Sequence, residues 1–105
     1  MTTELVPKEL LDAVITRFNP QRVLLFGSRA TGRATPDSDI DLLVIVDDDT
    51  PADRLSLTAG FAAGLDYPGA TDIIPCRSAT FRRRSQIVGT LCHTALTEGV
   101  VVHER

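Results

Sequence analysis

The chain has 105 residues, of which 43% are hydrophobic and 24% charged, and its formal net charge is −3. That size suits one domain around one core, so 1–105 is read as a single domain. The mild acidity excludes a global electrostatic footprint for nucleic acid or an anionic membrane, so any polyanionic ligand has to be met by local positive charge or by metal ions.

Residues 4–18 carry Leu5, Leu10, Leu11, Val14, Ile15 and Phe18 at helical spacing, with Pro7 near the first turn, and Asn19-Pro20 stops the pattern. Arg22 to Phe26 is a short apolar run that reads as a buried strand. Gly27-Ser28 ends it, and Ser28 is a good N-cap for a short helix through about Gly32. Thr35-Pro36-Asp37 signals a turn, and Asp39 to Val46 reads as a second strand. A polar loop, Asp47 to Pro51, precedes a weaker helical pattern over 52–65. After Tyr67-Pro68-Gly69, a third strand is predicted from Ala70 to Pro75. One long helix is expected over 79–98, with Phe81, Ile87, Val88, Leu91, Ala95 and Leu96 as its apolar stripe and Gly99 at its end. Val100 to Val102 makes a last strand. The order αβαβαβαβ places the chain in the α/β class, with a small sheet of about four strands flanked by helices.

No apolar run approaches the ~20 residues that a bilayer span requires, and the N-terminus has no apolar region of a signal peptide. A cytoplasmic protein without membrane contact is therefore expected. Cys76 and Cys92 lack CxxC spacing and are read as buried free thiols. His93 and His103 have no second ligand at metal spacing and read as structural or surface residues.

Two short motifs carry chemistry. A glycine at a strand end lets backbone approach a ligand, and Ser28 with the free N–H groups of a helix start offers an anion site suited to triphosphate. By itself such a pair is a weak signal and is usually just a turn and a cap. In Asp39-Ile40-Asp41, strand alternation points both carboxylates to one side and Ile40 into the core. Such a pair repels unless a cation lies between, and Mg²⁺ commonly bridges carboxylates and substrate phosphates. Two solvated strand-end acids are the plain alternative.

Together the motifs form Gly-Ser, ten residues, Asp-x-Asp, between two strands. The stretch LLFGSRATGRATPDSDIDLLVIV, residues 24–46, resembles the minimal nucleotidyltransferases within the DNA polymerase β-like superfamily. Arg29, Gly32, Arg33, Pro36 and Ser38 add to the likeness. The resemblance implies a polymerase β-like nucleotidyltransferase fold. It implies Mg²⁺ held by Asp39 and Asp41, and phosphates cradled by Gly27, Ser28, Arg29 and Ser38. It also implies a third carboxylate on a neighbouring strand, for which Asp72 is the candidate as metal ligand or general base. A strand-end role for Asp72 is the bland reading.

The resemblance further implies transfer of AMP from ATP to a hydroxyl. Many small members pair with a HEPN-domain toxin and modify its tyrosine as the antitoxin. The shortness of the chain leaves little room for an acceptor site, so a protein partner or self-association is expected, with nucleic acid unlikely as direct substrate. Two alternatives stand beside this: a homodimeric small-molecule enzyme of the aminoglycoside-modifying kind, and a non-catalytic antitoxin that binds its partner. Arg77 and Arg82-Arg83-Arg84 are the strongest basic cluster. The run is expected in a first helical turn, where positive charge opposes the dipole, which adds weight to a partner or nucleotide role, although a solvated face remains the usual reading of such a run.

Overall fold

The computed structural model describes residues 6–27, 30, 39–55 and 69–105. Its strands are β1 (Arg22–Phe26), β2 (Ile40–Val46), β3 (Thr71–Arg77) and β4 (Val100–Glu104). Its helices are α1 (Lys8–Phe18), α2 (Ser78–Arg84) and α3 (Leu91–Glu98), with a 3₁₀ turn at Ala52–Leu55. The strands form one mixed sheet in the order β3-β2-β1-β4. β1 is antiparallel to β2 and β4, and β2 is parallel to β3. This is the small α/β arrangement expected. The short helix expected after Ser28, and residues 56–65 of the predicted second helix, lie outside the described residues.

α1 begins without a side-chain cap at Pro7, whose ring fixes an extended entry, and Leu11 N–H bonds back to the Pro7 carbonyl at 3.0 Å. It ends where Asn19 adopts a left-handed conformation and donates to the Ile15 carbonyl at 2.9 Å. Asn tolerates that conformation better than most residues. Pro20 then prevents the helix from continuing.

Alternation along the strands divides the apolar residues between two layers. Val23, Leu25, Ile40, Leu42, Val44 and Val46 pack under α1, against Leu10, Val14 and Phe18. Leu24, Phe26, Leu43 and Ile45 face the other way and pack with Phe81, Cys92 and Ala95 of α2 and α3. β2 is thus covered on both faces, and Leu42 to Val46 are all buried.

Both edge strands run further than their sequences suggest. β3 passes through Pro75 to Arg77, because an edge strand can leave one side without a backbone donor. β4 continues to Glu104, paired opposite Arg22. The end of the chain is tied down there. Arg105 N–H bonds the Gln21 carbonyl at 2.8 Å, and its guanidinium reaches Asp47 Oδ1 at 2.7 Å. Gln21 donates to the same oxygen at 2.6 Å. These donors hold the Asp47 carboxyl below the ordinary aspartate range.

The single helix expected over 79–98 is two helices. Ser85 turns its hydroxyl onto the Arg82 carbonyl at 3.0 Å, and Gly89 has φ of +93°. Thr90 then caps α3, accepting from His93 N–H at 3.2 Å while donating to the Arg84 and Ile87 carbonyls. Local side-chain bonds of this kind compete with helix continuation. The expected stripe fails with it: Ile87, Val88, Leu91 and Leu96 are exposed. The arginine run is also relocated. Arg82, Arg83 and Arg84 occupy the last turn of α2, where positive charge complements the dipole. The helix start is served instead by Asp48, whose Oδ1 accepts from Ala79 N–H at 2.8 Å. Arg77 is spent on the fold, donating to the Thr50 carbonyl at 3.0 Å.

Thr90→Ala removes the α3 cap and two hydroxyl contacts across the break. The expected loss is about 1 kcal/mol, read as a lowered urea midpoint with unchanged slope.

Candidate active site

The acids gather where β2 and β3 begin. Ile40 N–H bonds the Ala70 carbonyl at 3.1 Å, and the parallel register that follows sets Asp41 beside Asp72. Residues paired in register share a face of the sheet. Leu43 and Ile45, and Ile74 and Cys76, belong to the α2–α3 layer. By alternation Asp41 and Asp72 extend that same face, beyond the helices that cover it. Asp39 stands just before β2, one residue outside the strand predicted to include it. Ile40 between the two acids is fully buried in the opposite layer, as the alternation required.

Charge is concentrated at Asp41. Its carboxyl is pushed above the ordinary aspartate range, first by burial, then by the charge of Asp72, then by that of Asp39. Asp39 and Asp72 are both exposed, while Asp41 is half-buried between them. Removing solvent from a carboxylate and adding like charges both disfavour its ionised form.

Gly27 is the fourth member. It follows β1 with φ of +79°, a left-handed conformation that side chains disfavour. A Cβ at this position would collide with Asp41 Oδ2. The glycine therefore leaves space for a carboxylate of its own chain, a role the sequence did not reveal. Phe26 is paired with Asp41 across β1 and β2, which brings the next residue over the acid. Ala30 N–H bonds the Gly27 carbonyl at 3.1 Å. Ser28, Arg29 and Ser38, the other candidate phosphate contacts, lie outside the described residues.

The donor set is all oxygen, which suits Mg²⁺. Among the described residues no three His, Cys, Asp or Glu side chains form a ready-made group of metal ligands. That is compatible with Mg²⁺, which is typically held by one or two carboxylates plus substrate phosphates rather than by an all-protein cage. The unfavourable crowding at Asp41 is the kind that a cation relieves.

Elsewhere on the same layer, Cys76 and Cys92 are free thiols in contact with each other. Burial, then the neighbouring Cys92, raises Cys76 above its ordinary range, so it stays a protonated, unreactive thiol. Among the described residues no helix is long and apolar enough to cross a membrane.

The chain matches the nucleotidyltransferase domain family over residues 7–89. It belongs to that family and is a transferase by class. Its fold is similar to that of a chain in a crystal structure of a toxin–antitoxin with AMP-PNP, at 17% identity and a TM-score of 0.64, covering 95% of this chain and 75% of that one. It is also similar to a candidate nucleotidyltransferase from Sulfolobus solfataricus, at 22% identity and a TM-score of 0.61, covering 99% and 81%. No curated protein matches the chain. The resemblance to minimal nucleotidyltransferases agrees with the family and with both folds.

Two outcomes follow. Gly27→Ala forces a side chain into left-handed backbone and against Asp41. It should lower stability by about 1–2 kcal/mol from the backbone alone, measured by urea unfolding, and displace the carboxylate. Asp41 should also make the metal-free protein pH-sensitive. With its pKa raised on folding, its stabilising share is full below the ordinary aspartate range and lost as pH rises through the raised value. Asp41→Asn should therefore raise the Tm in metal-free buffer at neutral pH, by a margin that shrinks as the pH is lowered into the aspartate range.

Proposed function

We propose that this single domain is a Mg²⁺-dependent nucleotidyltransferase that moves AMP from ATP to a hydroxyl, most specifically a tyrosine of a HEPN-domain toxin, and so acts as the antitoxin. The observation that carries the reading is Asp41 set in register against Asp72, with Gly27 folded over it, in a chain of the nucleotidyltransferase family. The toxin–antitoxin with AMP-PNP, similar in fold, supports a nucleotide ligand and a toxin partner.

Asp39 and Asp41 would hold Mg²⁺, which would offset negative charge gathering on the reacting phosphate. Gly27, Ser28, Arg29 and Ser38 would hold the triphosphate tail through backbone N–H groups, hydroxyls and a guanidinium. Asp72, exposed on the neighbouring strand, would take the proton from the attacking hydroxyl. The acceptor oxygen bonds to the α-phosphorus, the bond to the β-phosphate oxygen breaks, and pyrophosphate leaves. Positioning and electrostatics would supply the rate of this direct displacement.

The test is transfer of label from α-labelled ATP to a HEPN-domain protein from a neighbouring gene. With Mg²⁺ the expected result is a labelled tyrosine, lost on chelation. Asp41→Asn, and separately Asp72→Asn, should reduce transfer at least ~100-fold, the scale typical of a general acid–base or charge-stabilising group. A protein that binds Mg-ATP yet labels no HEPN tyrosine would refute the acceptor assignment. Turnover of a small hydroxyl compound by the chain alone would point to the homodimeric enzyme. Neutralisation of the toxin by an Asp39→Ala/Asp41→Ala variant would make binding, not catalysis, the function.

A further inference from the structure

Among the described residues, the large hydrophobic side chains left exposed are Ile87 (51%), Val88 (81%), Leu91 (38%), Leu96 (46%) and Val101 (43%). All five lie on the α2–α3 side of the sheet. Four lie on α3 or the turn before it. Val101 pairs with Leu24 of β1, and Leu24 faces the α2–α3 layer, so Val101 continues that face at the sheet edge. Exposed aliphatic groups gathered in this way mark an interaction surface rather than random surface apolarity.

Arg82, Arg83 and Arg84 border this surface, all exposed, in a chain whose net charge is negative. None is among the described ion pairs, which are Lys8 with Asp12 and Arg105 with Asp47. Among the described residues none of the three charges is consumed in a salt bridge.

We propose that the α2–α3 face, with the exposed side of β4, is the docking surface for a protein partner that presents an apolar patch bordered by carboxylates. The inference rests on the protein-acceptor reading above and locates where that acceptor binds. Several features favour this occupant. The patch is aliphatic and has no exposed aromatic ring, so it lacks the stacking platform of a single-stranded nucleic-acid site. α2 and α3 span only 7 and 8 residues and carry no Trp, unlike a helix built to lie in a membrane interface. Arginines at the rim of an apolar centre match carboxylates on a partner protein.

The position also suits delivery of an acceptor. Asp41 and Asp72 extend the same face of the sheet. Val101 is two residues along and two strands across from Asp41, roughly 12 Å away by strand geometry. A partner resting on α3 and β4 thus brings its own side chains to the edge of the acidic site.

The experiment measures binding of the same HEPN-domain protein to the intact chain by calorimetry. Three forms are compared: wild type, Arg82→Gln/Arg83→Gln/Arg84→Gln, and Ile87→Ser/Val88→Ser. The serine pair lies in the turn outside both helices, so it tests the surface without loading a helix. Circular dichroism and Mg-ATP binding confirm that each variant is folded. Each variant should weaken the partner at least ~10-fold, as expected for residues at the centre or charged rim of an interface. The affinity of wild type should fall with added salt more steeply than that of the glutamine variant. If wild type binds the HEPN protein and both folded variants bind equally well, the docking surface is wrong while the acceptor reading survives. If wild type does not bind it, the acceptor reading falls and takes this inference with it. A wild-type dimer that the serine pair dissociates would assign the face to a second copy. Binding of phosphatidylserine vesicles or of a single-stranded RNA through these residues would likewise overturn the proposal.

Discussion

Parallel pairing of β2 with β3 places one carboxylate beside another, and the rest of the site depends on that arrangement. Ile40 and Ala70 start the ladder, and the next rung is Asp41 with Asp72. A slip of one residue would send Asp72 to the α1 side and bury an uncompensated charge. In the observed register Ile40, Leu42, Val44 and Ile73 fill the α1 layer, and Leu43, Ile45 and Ile74 fill the other. The apolar layers therefore hold the acids together against their own repulsion.

The same geometry explains why Gly27 cannot carry a side chain. Pairing of Phe26 with Asp41 carries the chain directly over the acid. The bend that follows needs positive φ, and the carboxylate fills the space where a Cβ would go. Conformational freedom and absence of bulk are both required at one residue. A site that stores crowding of like charge at its centre is poised for a cation and a polyanion arriving together.

The two sides of the sheet have different tasks. The α1 side buries its apolar groups, and no large hydrophobic of α1 is left exposed. The α2–α3 side is covered over β1 and β2 but leaves acids at one end and aliphatic groups with arginines on its outer surface. The break at Ser85 to Thr90 makes this possible. A continuous helix would have kept Ile87 and Val88 on its buried stripe, whereas the turn projects them outward.

What the residues determined by themselves was local or periodic. The strand Arg22–Phe26 was legible because an apolar run bounded by Pro20 and Gly27 has few other solutions. Ile40 buried between two acids followed from alternation alone, and Asp39, Asp41 and Asp72 stood out as acids in or beside strand-like runs. Tertiary structure decided the rest. Which acid stands beside which depends on strand order and register, which no local pattern encodes. The passage of β3 through Pro75 depends on its being an edge. The helix break depends on Ser85, Gly89 and Thr90 acting together, and with it the arginine run moved from a helix start to a helix end. The use of Gly27 was hidden for the same reason: the group it makes room for lies fourteen residues away in sequence and is brought near only by the pairing of β1 with β2.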